Sequence, residues 1–401
     1  MHDPDAVPAV PAAPAVACTP LPPAPRVLQI RFTGSGSEYF RIWSVNLLLI
    51  LVTLGLYLPF AKARRIRYFY ANTLVDGQAL SFHGDPWKMF RGFLLLIVLM
   101  GTYSAAGHFS STAAFVAFLI LCAVWPALWR ASLQFRLGNT SWRGLRMRFD
   151  GSLTDAYLAS APSYLPAIAL VGGGLLIGRD TAATAAAGFT PAVLLYGVGA
   201  LCMTLFAPWS FALFKRYQHN GYGIAGQDGR VKLSTAKVYL LALKTAGMAL
   251  LPMLLTGVLA AAAVGLARGM GGPNRALLGT VALGIGVGLG YLLMFAVVMP
   301  YGAARMQNLA WNGTRSQALG FRSTLKFRSL FALTLKNWLL TALTLSLYRP
   351  FAAVATAQLR LEAVRIGCDE DPADWVAAAR AGHADATGDI AGDFFGIDMG
   401  L

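Results

Sequence analysis

Eight stretches of this chain are apolar over most of a membrane's thickness, near 40–58, 92–108, 112–129, 156–178, 190–214, 238–266, 277–301 and 330–349. Runs of 18 or more apolar residues read as transmembrane helices. Between them lie short segments of strict alternation: Ala79-Leu-Ser-Phe-His83, Leu145-Arg-Met-Arg-Phe149, Arg230-Val-Lys-Leu-Ser234 and Ala318-Leu-Gly-Phe-Arg322. A fifth, Leu28-Gln-Ile-Arg-Phe32, precedes the first apolar run. Period-two alternation over five residues predicts short, half-buried strands.

The pattern repeats as a unit. An apolar run ends at a proline (Pro59, Pro126, Pro208, Pro300), about a dozen basic and aromatic residues follow, and an asparagine closes them (Asn72, Asn139, Asn220, Asn312). Proline suits the first turn of a helix and Asn tolerates the left-handed conformation that ends one, so each stretch predicts a short helix leaving the membrane. A turn and the next strand complete the unit. Three of the strands end in Phe-x-Gly, at Phe32–Gly34, Phe82–Gly84 and Phe149–Gly151.

The first and last units hold one apolar segment each and share a phrase. Residues 40–61 and 331–352 match at eleven of 22 positions, among them Asn46/Asn337, Thr53/Thr344, Tyr57/Tyr348 and Pro59/Pro350. If all strands lie on one side, a single crossing cannot return the chain there. Either these terminal segments are re-entrant, breaking at Thr53-Leu-Gly-Leu and Thr344-Leu-Ser-Leu, or they cross and the tails lie outside. The expected fold is thus an all-α polytopic membrane protein of repeated transmembrane hairpins. It has short cytoplasmic helices, small β-like segments, six full spans and two terminal segments that re-enter or cross once.

Charge orients it. Loops 58–91, 127–155, 212–237 and 302–336 carry 22 Lys and Arg, whereas 104–112, 178–191 and 267–276 carry three, which places the basic set in the cytoplasm. The formal net charge of +15 therefore reflects topology and not nucleic-acid binding. Residues 1–27 form a Pro/Ala-rich tail, 28–366 the membrane domain, and 367–401 an acidic, flexible tail holding eight of the 18 acidic groups.

Around Phe32-Thr-Gly-Ser-Gly-Ser-Glu-Tyr-Phe40, Ile42-Trp43, Asn46, Thr53-Leu-Gly-Leu-Tyr57, Ala61-Lys-Ala-Arg64, Arg67-Tyr-Phe69 and Asn72-Thr73, the chain resembles the YjgN family of bacterial inner-membrane proteins. The resemblance implies an inner-membrane location and brings no established activity. In the last repeat Lys62, Arg64 and Arg65 give way to Ala353, Ala355 and Thr356.

No enzyme is readable here. Histidines 2, 83, 108, 219 and 383 are scattered, the cysteines at 18, 122, 202 and 368 form no pair, and no acidic residue lies within an apolar core. No metal site, cofactor or catalytic set is therefore expected. Gly284-Ile-Gly-Val-Gly-Leu-Gly290 sits inside a span, where Gly284 and Gly288 suit close helix packing and not a nucleotide. Asn46 and Asn337 are candidate intramembrane polar groups, serving either a structural hydrogen bond or a solute path. Lys62, Arg64, Arg65, Arg67, Arg136, Lys215, Arg216 and Arg305, beside aromatic rings, are candidate contacts for anionic lipid or solute; the plainer reading makes them orientation signals. Two functional classes remain: solute transport or channel-like activity, and anionic-lipid binding or membrane assembly without transport. The bilayer, with its anionic phospholipids, is the expected partner.

Overall fold

The computed structural model describes residues 26–179, 190–269, 275–369, 371–374 and 376–378. The N-terminal tail, apart from Arg26 and Val27, lies outside them, as does the C-terminal tail beyond residue 378.

Five units follow one another, each a strand, two helices and a second strand, which is shorter than the first in all but the fifth. The first is β1 (Arg26–Phe32), α1 (Gly36–Val52), α2 (Leu58–Ala71) and β2 (Thr73–Val75). The second is β3 (Gln78–Phe82), α3 (Pro86–Phe109), α4 (Ser111–Gly138) and β4 (Thr140–Trp142). The third is β5 (Leu145–Phe149), α5 (Leu153–Arg179), α6 (Pro191–Asn220) and β6 (Tyr222–Ile224). In the fourth, Gly229 divides the strand into β7 (Gln227–Asp228) and β8 (Arg230–Val231), followed by α7 (Thr235–Gly269), α8 (Arg275–Gly313) and β9 (Thr314–Arg315). The fifth is β10 (Leu319–Ser323), α9 (Phe327–Leu343), α10 (Arg349–Glu362) and β11 (Val364–Cys368).

All strands pair antiparallel in the order β7-β6-β5-β4-β3-β2-β1-β11-β10-β9-β8. Because one residue separates β7 from β8, the sheet returns on itself as a barrel. Closure abolishes the exposed edges that short strands would otherwise present. The chain is mostly helical, but the expected all-α class understates it: the small β-like segments are one continuous sheet. The sequence pattern also showed only the first strand of each unit, in the fourth it ran past the strand, which ends at Val231 and not at Ser234, and the tail expected from 367 begins inside β11.

The same hydrogen bond fastens all five units. The residue after each long strand donates to the residue before its partner strand: Thr33 to Asn72 at 2.9 Å, His83 to Asn139 at 2.8 Å, Asp150 to Gly221 at 2.9 Å, Lys232 to Gly313 at 2.8 Å and Thr324 to Ala363 at 2.9 Å. Between units the sheet turns tightly. Asp76-Gly77, Arg143-Gly144 and Ala225-Gly226 all have positive φ, the geometry that matches the twist of a two-residue hairpin. Leu28, Val75, Trp142, Leu145 and Leu319 pack inside the barrel, and Val376 packs against them from the turn end.

The helices ring the other end. Each unit's second helix packs on the first helix of the next, and α10 closes the circle on α1. Six helices, α3 to α8, are long and apolar enough to cross a membrane. The 17 residues of α1 and of α9 reach about 25 Å, short of the ~30 Å hydrocarbon core.

The duplicated phrase builds the reversal in both terminal units. Thr53 Oγ1 donates to Leu49 O at 2.7 Å and accepts from Tyr57 N at 3.0 Å; Thr344 repeats both bonds with Leu340 O and Tyr348 N at the same distances. One hydroxyl thus ends the first helix and starts the second, while Leu54-Gly55 and Leu345-Ser346 turn the chain through positive φ. Thr-Leu-Gly-Leu and Thr-Leu-Ser-Leu are therefore equivalent breaks.

Two local expectations change. Pro126, Pro208 and Pro300 lie inside α4, α6 and α8, so the post-proline stretches continue the spans; of the prolines that follow the apolar runs, Pro59 and Pro350 alone stand at the start of a helix. A proline within a helix loses one backbone bond, which neighbouring helices can compensate in a membrane bundle. Nor do the asparagines adopt the left-handed conformation, for Asn72 and Asn139 have φ −95° and −97°. Their amides instead donate back to Tyr68 O at 2.9 Å and Phe135 O at 2.7 Å. Asn220 and Asn312, still within their helices, accept from Val231 N at 2.8 Å and Ser323 N at 2.6 Å.

Candidate functional site

The barrel meets the helix ring through a repeated corner, and most of the motif chemistry is spent there. In Phe-x-Gly the buried phenyl ring folds over the glycine two residues on. A Cβ on Gly34 would lie 2.8 Å from the Phe32 ring, and one on Gly151 would lie 2.6 Å from Phe149. A basic or amide side chain on the preceding unit's second helix then donates to the carbonyl at that corner. Arg67 reaches Gly84 O at 3.0 Å, Arg130 reaches Gly151 O at 2.8 Å, and Asn308 reaches Leu325 O at 2.9 Å. Arg216 is the most committed, with Nε and Nη2 on Leu233 O at 2.9 and 2.6 Å and Nη2 on Thr235 Oγ1 at 2.7 Å.

The eight predicted basic residues thus divide by partner. Arg67 and Arg216 hold corners. Arg64 stands over the Tyr57 ring and approaches Asn46 Oδ1 at 3.5 Å, across the α1–α2 hairpin. Its counterpart Asn337 donates to Ala352 O at 3.4 Å and Thr356 Oγ1 at 3.3 Å, across α9–α10. Arg305 stacks on Tyr301. Lys62, Arg136 and Lys215 are left facing other cations. Desolvation first, and Arg136 second, push the Lys62 ammonium below its usual pKa. Lys215, bonded to Gln218 Oε1 at 3.0 Å, stands within electrostatic reach of Arg360. Ion pairs among the described residues, those of Arg26, Arg143 and Arg148, lie at the barrel and include none of these cations.

Lys62 faces Arg136 and Lys215 faces Arg360, so two like-charged pairs drawn from four units form a basic collar on the helices that lead to the barrel, in no ion pair among the described residues. Arg65, over the Phe69 ring, joins Arg349 and Arg360 around a cleft of about 640 Å³ between α2 and the α9–α10 hairpin. Arg349 and Arg360 escaped the sequence reading because alanines replace the basic cluster at the centre of the last repeat. The signal lay at the ends of that helix, in Arg349-Pro350 and Leu359-Arg-Leu361. Beside the collar the barrel encloses about 530 Å³, lined by apolar side chains except at the rim, where Thr73, Gln307 and Arg360 stand with Trp311. Among the described residues no three His, Cys, Asp or Glu side chains gather as metal ligands. His83 and His219 bond instead to Ser141 Oγ and Thr314 Oγ1, each at 2.8 Å.

Residues 27–394 match the family described as bacterial protein of unknown function (DUF898). Relatives include proteins named inner membrane protein YjgN. The one from Salmonella typhimurium (strain LT2) is 32% identical over 127 residues, 31% of this chain and 32% of its own. Those from Escherichia coli O157:H7 and strain K12 are each 28% identical over 231 residues, 56% of this chain and 56% of theirs. The matched part thus spans about half, or less, of these curated relatives. No solved structure matches the chain.

Proposed function

This chain belongs to the DUF898 family of bacterial proteins, and from that premise we propose that it is a multi-pass inner-membrane protein whose cytoplasmic collar binds anionic lipid headgroups. The observation that carries this reading is that Lys62 faces Arg136 and Lys215 faces Arg360, none of the four in an ion pair among the described residues. Lys215 stands over the Phe211 ring and Arg360 beside Trp311, rings of the kind that settle at headgroup depth, and each near-surface charge contributes ~1 kcal/mol toward anionic lipid. Lys62→Gln with Arg136→Gln removes two such charges while leaving every corner bond in place. Purified protein should then retain roughly thirtyfold less anionic lipid by mass spectrometry, as ~2 kcal/mol implies. Equal lipid in variant and parent rejects the reading and leaves these residues as orientation signals.

Solute transport is the competing reading, favoured by the ring of repeats. Against it, the barrel lumen is apolar and Val376 packs at its far end, which offers an ion no polar path. Solute flux through reconstituted vesicles would restore transport.

The sheet also supports an orientation. All five long strands belong to it, so both ends of every unit return to one side, and the basic loops share that side. This supports re-entrant terminal hairpins, six spans and a cytoplasmic barrel. Single cysteines at the exposed positions Gln29, Arg146, Arg230 and Arg322, in a cysteine-free background, should all react only from the cytoplasm. Labelling of position 29 from outside intact cells would overturn the arrangement.

A further inference from the structure

The barrel lumen and the α2/α9–α10 cleft share two lining residues, Ala357 and Arg360, so they adjoin on either side of this turn of α10. The two spaces differ in chemistry. The lumen presents Leu80, Met147, Ile224, Phe321 and Ile366, with Arg360 at its rim and Val376 packed at the turn end. Its volume of about 530 Å³ falls in the range of small-molecule pockets. The cleft presents three guanidiniums, Arg65, Arg349 and Arg360. It reaches membrane depth at Trp338 and Thr341, which belong to the last apolar segment.

One detail points to an occupant. Arg360 is set in place, its Nε on Gln307 Oε1 at 2.9 Å and Gln307 Nε2 on its carbonyl at 2.9 Å, which leaves the guanidinium's outer edge toward the cleft and the lumen rim. Asn337, 5% exposed, also lines the cleft. Its Nδ2 is spent on Ala352 O and Thr356 Oγ1, while its Oδ1 is buried without a donor. That oxygen is closed off from the cleft, so its cost stays within the α9–α10 hairpin. Guanidiniums ask for phosphate and the lumen for hydrocarbon.

We propose that the barrel is an acyl-chain pocket. An anionic glycerophospholipid seats its headgroup along the guanidiniums that line the cleft, Arg65, Arg349 and Arg360, and threads one chain past Arg360 into the lumen. The proposal rests on the lipid-binding reading and adds a defined site, one chain deep, to it. The second chain stays in the cleft against Ile66, Phe69 and Trp338. The barrel thereby gives a single chain an apolar enclosure outside the bilayer.

The test uses the full chain in phosphatidylcholine vesicles containing phosphatidylglycerol with a photoactivatable group at the end of one acyl chain. After illumination, peptide mapping should find adducts on the barrel strands, at or beside Leu80, Met147 and Ile224, besides those on lipid-facing spans. Ile224→Trp fills the lumen and should abolish the barrel adducts while the span adducts persist. Should that variant not fold, Met147→Phe, a smaller increase from the neighbouring strand, gives the same readout. Arg65→Gln with Arg349→Gln should lower the barrel adducts about tenfold, since each guanidinium contributes charge-assisted bonds. Excess glycerol 3-phosphate should leave them unchanged. Displacement by it would assign the cleft to a free phosphate anion and overturn the proposal. Span adducts alone would also overturn it. If Lys62→Gln/Arg136→Gln still loses anionic lipid in that case, the collar reading stands without the pocket.

Discussion

Gly290→Leu is expected to destabilise the bundle by ~3 kcal/mol, whereas Gly288→Leu, two residues earlier on the same helix, should change little. Both lie in the glycine-rich run of α8. Gly290 is buried, and a Cβ there would collide with the Oγ1, Cβ and Cγ2 of Thr256 on α7. Gly286, one turn earlier, is also buried, and its Cβ would meet the α7 backbone at Leu259 from 3.5 Å. Gly284 and Gly288 are exposed and meet nothing within 4 Å. Small residues let membrane helices approach, and inserting a large side chain at such a crossing costs ~1–3 kcal/mol or more. Position 290 stands at the top of that range because Thr256 is itself fixed by its hydroxyl on Pro252 O at 2.7 Å. Thermal unfolding in detergent separates the two variants. Equal loss in both would mean that α7 and α8 cross elsewhere.

The pair also shows where sequence reasoning stops. Alternating glycines in Gly284–Gly290 offer a small residue on both sides of the helix, so spacing alone suggested Gly284 and Gly288. Only the partner helix selects Gly286 and Gly290. Closure of the barrel was hidden for a related reason. β1 pairs with β11 from the opposite end of the chain, Arg26 opposite Cys368, and no local pattern encodes a contact of that sequence separation. By contrast the repeat, the first strand of most units and the helix breaks at Thr53 and Thr344 were legible, since alternation and duplicated phrases act locally. Helices that run through Pro126, Pro208 and Pro300 were not, because tertiary packing overrides the penalty of a mid-helix proline.

The basic residues were legible as a class and not as individuals. Composition places Lys62, Arg67 and Arg216 in equivalent surroundings, yet one faces a neighbouring cation and two hold carbonyls in the next unit. The 17-residue separation from Arg67 to Gly84 and from Arg216 to Leu233 spans a hairpin turn, a strand and a corner. That path exists only once the sheet has formed. A test of lipid binding at Arg67 would therefore have mixed lost charge with a loosened corner, which is why Lys62 and Arg136 are the better pair.

Arg216→Met carries the largest cost expected of any single basic residue, about 2–3 kcal/mol. The guanidinium makes three bonds, two to Leu233 O and one to Thr235 Oγ1, where β8 hands over to α7. Leu233 is 4% exposed, and no water can readily replace the arginine at its carbonyl. Bonds to a charged donor contribute ~1.5–3 kcal/mol, and an orphaned buried acceptor adds its own desolvation cost. Methionine preserves the apolar stem, so the loss reports the polar contacts and not packing. Arg305→Met supplies the control: that residue is exposed and only stacks on Tyr301, with 5.8 Å from Cζ to the ring centroid, a contact of ~0.5–1 kcal/mol. Unfolding of the two variants in the same detergent should rank Arg216 well below Arg305. Hydrogen exchange at the first turn of α7 should rise only in the former, because the lost bonds fasten that turn. If both variants unfold alike and exchange is unchanged, the corner is held by the sheet bond from Lys232 to Gly313 O, and Arg216 is free to serve the collar instead.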